Sequence, residues 1–375
     1  MILLLSIAAC IHNAPRGPST ETTLASAPLD AEAVAVLQAG AADLDITVRR
    51  NAIAVLIEID PAPAGGAWLD RARFDPSEYV RRSAVDALFA RAPDAQARVA
   101  LRAWTADASL DHWTRGAAAE ALARWPEPAG KDEDRRTISD AARSVSGNRS
   151  AGLLLAAAMV GDADAKARLE RILSAGQVPS ELWFLRALGA SGVALGELPM
   201  DAVEPEIATL FAVAVYQLHP NTRSMLTELL SRDEDAALEV LEGVLNSSIP
   251  PNDPILFAPA AGVGARVQAL VRFGRGDGEL KDVIAALTDA DIDIQSFGAN
   301  AASARLRIEP TMNGADRLRA ALRTRLADAG PAMQLAIIPS LGRSSVPADA
   351  AALRVLLQDE SPRIRVAAAS ALLAR

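Results

Sequence analysis

The sequence predicts an all-α fold of stacked antiparallel helix pairs, and three observations predict it. Half of the 375 residues are hydrophobic but only 4% are aromatic, and alanine recurs through nearly every block of ten. Closely packed helices use such a composition, whereas sheets draw on β-branched and aromatic residues. The chain is too long for one compact core, since single cores stop growing at roughly 250–300 residues. Finally, four segments repeat one helical pattern without gaps over the part that matters: Asp43 to Leu56, Asp75 to Leu88, Ser109 to Leu122 and Asp359 to Leu372.

In chain order, the first element is an apolar run from Ile2 to Ala9 ending in Ile7-Ala8-Ala9-Cys10. This resembles the lipobox of bacterial lipoproteins, in which the signal peptide is cut before the cysteine and its sulfur receives a diacylglycerol. Small residues admit the peptidase and a thiol can be alkylated. The resemblance implies a signal segment at 1–9 and a lipid on Cys10. Ile11 after the cysteine resembles outer-membrane sorting, so the expected place is the bacterial envelope, on the periplasmic face of the outer membrane. From Ile11 to Pro28 the chain is rich in Pro, Ser, Thr and Ala with little periodicity, so 10–28 reads as a lipidated cysteine and flexible tether.

The repeats fill 29–375, regular over 29–127, irregular over 130–280 and regular again over 281–375. In each strong copy a branched residue (Val48, Val80, Thr114, Ile364) precedes Arg (Arg49, Arg81, Arg115, Arg365). Ala follows four positions on (Ala52, Ala84, Ala118, Ala368), and a small or branched residue with Leu at seven and eight (Val55-Leu56, Ala87-Leu88, Ala121-Leu122, Ala371-Leu372). These offsets share one face of a 3.6-period helix, predicted to be buried, with alanine letting a neighbour approach. Five residues before the branched position stands Asp in three copies, with Pro76 and Pro362 shortly after; both suit a turn entering a helix. The branched positions 48, 80 and 114 are 32 and 34 apart, as a two-helix repeat requires.

This pattern resembles the HEAT-like repeat of the phycobilisome-lyase type, an α-solenoid in which the Asp and Arg of successive repeats form a buried hydrogen-bonded ladder. The resemblance puts Arg49, Arg81, Arg115 and Arg365 on the ladder, with Asp43, Asp75 and Asp359 as acidic counterparts. Weaker copies at Asp289 with Ile294-Gln295 and Asp328 with Met333-Gln334 replace Arg by Gln. Ser180 to Gly189 matches Met333 to Gly342, each ending in a Leu-Gly that reads as a helix C-cap. Between 130 and 280, copies fall only loosely near 147, 210, 238 and 262. Residues 30–375 would hold about ten units at this period, as one continuous array or as two arms bent in the middle.

Chemistry is sparse. The net charge of −9, with Lys131, Lys166 and Lys281 the only lysines, argues against a nucleic-acid partner. One cysteine allows neither a disulfide framework nor a thiolate zinc site, and no later stretch is apolar for long enough to span a bilayer. The histidines, His12, His112 and His219, lack metal spacing, and no cofactor is implied. Gly189-Ala-Ser191-Gly192 has Val193 where a nucleophile elbow needs Gly. Gly274-Arg-Gly276-Asp-Gly278 lacks the Lys-Ser/Thr of a phosphate loop and reads as a turn, and its Arg275-Gly276-Asp277 triplet arises easily in an Arg-rich chain. Asp289-Ala-Asp291-Ile-Asp293 reads as a capping turn rather than a calcium loop, since Ile294 replaces the required Gly.

Trp104, Trp113 and Trp125 fall within one repeat's length, near His112, Arg102, Arg115 and Arg124. Trp104, Trp113, Trp125, Arg102 and Arg124 form a candidate binding patch, because aromatic and arginine clusters anchor interfaces; solenoid core is the other reading. Asp107 or Asp111 beside them resembles the inner groove of HEAT-like DNA glycosylases. The expected function is a non-catalytic, lipid-anchored scaffold binding a protein or peptide partner. The alternative is a HEAT-type enzyme or ligand binder, glycosylase-like or chromophore-lyase-like, with a Trp-lined groove.

Overall fold

The computed structural model describes residues 30–374 except 61–65, 91–94, 126–129, 180–181, 194–208, 210, 214, 217–221, 233, 246–248, 251 and 343. Cys10, His12, the tether and His219 lie outside the described residues. Among those described every regular element is a helix, so the all-α expectation holds.

Two compact units form, one from the stretches up to Ala90 and from Ala269 onward, the other from Arg91–Gln268. In the first unit the helices are α1 (Ala31–Gly40), α2 (Ile46–Ile59), α3 (Gly66–Arg73) and α4 (Glu78–Ala90) from the early stretch. The late stretch begins within α13 (Gly264–Arg275) and continues with α14 (Leu280–Ala286), α15 (Ile292–Ile308), α16 (Ala315–Asp328), α17 (Pro331–Gly342), α18 (Pro347–Val355) and α19 (Pro362–Leu373). The second unit holds α5 (Ala95–Ala106), α6 (His112–Arg124), α7 (Lys131–Arg143), α8 (Ala151–Met159), α9 (Ala163–Ser174), α10 (Leu182–Ala190), α11 (Thr222–Arg232) and α12 (Glu234–Leu245).

The helices start where short polar side chains take up orphan amides. Asp30 accepts from the Ala33 amide, Asp45 from Thr47 and Val48, Asp111 from Thr114, Asp162 from Ala165 and Asp291 from Asp293. Proline opens α18 and α19, where its missing N–H is not needed. The template face is the buried one: Val48, Val80, Thr114 and Ile364, the four alanines after them and the closing leucines all lie in the core. Small residues at the crossing let helices nest.

Consecutive helices pair, α1 with α2, α3 with α4, α14 with α15, α16 with α17 and α18 with α19. The second helices of these pairs form a row, α15 on α17, α17 on α19, α19 on α2 and α2 on α4. In that row the last repeat of the chain stacks on the first, so the two regular stretches are neighbours in space. The second unit repeats the scheme: α6 packs on α8, and α5 on α7 and α7 on α9.

Two local expectations are corrected. Leu341-Gly342 and Leu188-Gly189 are not C-caps. Gly342 ends α17 against α19, where a Cβ would lie 2.7 Å from the Ala371 Cα, and Gly189 lies inside α10. The turn follows at Ser191 and Ser344, whose hydroxyls each accept an amide two residues on, Val193 and Val346, at 3.1 Å. In the third copy Asp107, not Ser109, takes the template's turn position, because the loop there is two residues longer.

Candidate functional site

In five template copies the turn is closed by one aspartate. The carboxylates of Asp43, Asp75, Asp107, Asp289 and Asp359 accept the amides of Asp45, Ser77, Ser109, Asp291 and Ser361, at 2.8–3.0 Å. This side-chain turn competes with helix and fixes the loop. From the first helical turn the ladder side chain then reaches back six residues. Arg49 donates to the Asp43 carbonyl at 2.7 Å and Arg365 to the Asp359 carbonyl at 2.7 Å, while Arg81 bonds the Asp75 carbonyl and Gln295 that of Asp289. The uncharged Gln295 thus does the work of arginine, and its amide oxygen accepts from Arg325 at 2.8 Å.

Side chain to side chain, the structure brings together Arg49 and Asp75. The guanidinium donates through Nε at 2.7 Å and Nη2 at 3.2 Å, tying the first turn of α2 to the α3–α4 loop. The Asp75 carboxylate holds the Arg49 proton more firmly, and burial only partly opposes it. The described bonds of the Asp43 and Asp359 carboxylates go to their own turns instead. Arg115 departs from the ladder: it is buried, donates to the Thr105 carbonyl at 3.1 Å and the Ser144 hydroxyl at 3.3 Å, and burial pulls its pKa down. The longer loop of that copy explains the change.

Sequence reasoning missed a second set of rungs, between first helices. On α5, Arg98 and Arg102 hold the buried Asp134 of α7 through their Nε atoms at 2.9 and 2.5 Å. On α16, Arg323 bonds and Arg319 approaches, at 3.7 Å, the carboxylate of Asp349 on α18, which has no exposed surface. The signal was present: Arg98-Val-Ala-Leu-Arg102 and Arg319-Ala-Ala-Leu-Arg323 share one spacing, which puts both guanidiniums on one helix face.

The tryptophan patch resolves as core. Trp104, Trp113 and Trp125 are buried, Trp113 being the most exposed at 9%. Trp113 meets His112 at 4.5 Å and the edge of Trp183 at 5.9 Å between ring centres, and Arg98 lies over Trp125. Arg102 also bonds Glu133 and the Gly130 carbonyl, and Arg124 pairs with Glu120 at 3.0 Å. Asp107 holds the Ser109 turn and Asp111 caps α6. Large rings gain more from burial than from display.

Apolar surface appears elsewhere, on the edge that the Arg49–Asp75 rung ties together. Leu44 is 95% and Phe74 80% exposed, flanked by Ile46 and Tyr79, also exposed. Arg73 lies 5.9 Å from the Phe74 ring centre and Arg82 4.9 Å from that of Tyr79. Leu44 and Phe74 stand next to Asp43 and Asp75, whose carboxylates close their turns. Among the described residues no group of three His, Cys, Asp or Glu could hold a metal ion, and no helix is long and apolar enough to cross a membrane. At the glycine-rich turn Arg272 pairs with Asp277 at 2.7 Å, and Gly276 and Gly278 take positive φ.

No family model matches the chain, and no curated protein does. Among solved structures, a crystal structure of an engineered protein from the Northeast Structural Genomics Consortium matches 91% of this chain and 98% of its own at 15% identity. Its TM-score of 0.25 is too low to carry a fold assignment.

Proposed function

We propose that this chain is a non-catalytic scaffold, a HEAT-like α-solenoid held at the bacterial envelope by a lipid on Cys10, that binds a protein or peptide segment. The observation that supports it best is the pinned edge of Leu44, Ile46, Phe74 and Tyr79 with arginines against the rings. Exposed apolar clusters beside aromatic and arginine side chains mark contact sites more often than bare surface. The solenoid reading draws on the Asp-turn and the six-residue arginine reach, repeated in successive copies, and the lipid reading on Ala8-Ala9-Cys10.

Two measurements test it. Mass spectrometry of the N-terminus from the native host is expected to find diacylated Cys10 with residues 1–9 gone; a retained Met1 on unmodified chain ends the lipid reading. Capture from the envelope fraction is expected to enrich a partner that Leu44→Glu with Phe74→Glu loses. Equal enrichment by that double variant, with its helix content intact, rules this edge out as the binding surface.

A further inference from the structure

We propose that the seam where α19 meets α1 and α2 is a latch, a joint that opens while the helices on both sides stay folded. Opening it would part the early stretch of the first unit, which carries the Leu44–Phe74 edge, from the late stretch.

Three features of the seam point this way. First, it joins stretches far apart in sequence: the side-chain bonds at its rim, from Arg354 of α18, Gln358 and Arg363 of α19, link residues 318 to 326 apart. Neighbours such as α2 and α4, or α17 and α19, are bridged by a single intervening helix and its loops, so separating them pulls a helix from its bed. No short link crosses between α19 and α1, so parting them stretches nothing nearby.

Second, the fit is close. Gly40 on α1 faces Val366 on α19, and a Cβ there would lie 2.6 Å from the Val366 Cγ2 and 3.2 Å from the Ala52 Cβ. A glycine at the contact lets the two helices approach closely, so one added side chain would force them apart.

Third, the rim is polar and wet. Arg354 pairs with Asp30 at 3.1 Å, Arg363 with Asp45 at 2.7 Å, and Gln358 bonds Glu32. Both ion pairs are partly exposed, and such pairs are weak singly and fade with salt. The joint between α16 and α18 instead closes on Asp349, sealed from water.

The test is amide exchange of the full chain, which reports local opening. In the wild type α1 and α19 are expected to exchange together and faster than α4 and α17, and faster still at high salt. Arg363→Glu should speed both by about two- to fivefold. Gly40→Leu should speed both by about ten- to a hundredfold. If α1 and α19 exchange no faster than α4 and α17, or if Arg363→Glu speeds all four helices equally, the seam is ordinary core and the latch is wrong. The Arg363→Glu comparison decides the matter even if Gly40→Leu does not fold.

Discussion

An aspartate with no exposed surface stands at position 349 because two guanidiniums answer it. Removing one partner of a buried pair strands the other, so Asp349→Ala is expected to destabilise by about 3–5 kcal/mol, read from the urea midpoint. Replacing Arg319 and Arg323 by Met in the same chain should recover most of the loss, because an apolar trio of similar volume needs no pairing. Asp162 offers a milder case. The Ala165 amide holds its carboxyl below the usual 3.8, with burial opposing and the Ser139 hydroxyl assisting. A depressed folded pKa stabilises above the unfolded value and is lost as pH falls through the lower folded one. Asp162→Ala should therefore cost about 1 kcal/mol at neutral pH, a difference that shrinks only below pH 3.8. At this scale the sequence was legible where one side chain has one role: the burial of Val48, Val80 and Ile364 followed from periodicity alone. It was not legible at Asp107, because a two-residue loop extension moves the turn without changing the helix pattern.

Between elements, contact distance decides. Where α6 crosses α8, a Cβ on Gly152 would lie 2.8 Å from the Trp183 ring and 3.3 Å from the Gly116 Cα. Gly152→Ala gains about 1 kcal/mol of helix propensity but overpacks a rigid ring at about 1–3 kcal/mol, so a net loss is expected in thermal unfolding. Trp183→Phe removes the crowding atoms, and in that background Gly152→Ala should be neutral or stabilising, a coupling that a double-mutant cycle measures. The spacing of Arg98 with Arg102 and of Arg319 with Arg323 was visible in the sequence. Their partners were not, since Asp134 and Asp349 stand on the next first helix and periodicity marks faces, not acceptors. The tryptophans left two readings open, patch or core, because clustering in sequence looks alike whether rings face water or the interior; their burial favours core.

Over the whole molecule, the division into two units cuts across chain order. Removing α19 by ending the chain at Ser361 is expected to cost amide protection in α1, α2 and α17 while sparing α6 and α8, because cooperative units open separately. Loss of protection in α6 and α8 to the same extent would mean that the two units unfold as one. The seam was beyond sequence reasoning, since no local pattern says that residues more than 300 apart will touch. The seam also sets a schedule for synthesis. At about 5–20 residues per second, the ribosome needs on the order of half a minute between making α1 and making α19. During that wait Gly40 has no cover from its eventual neighbour Val366, and contacts so distant in sequence slow folding.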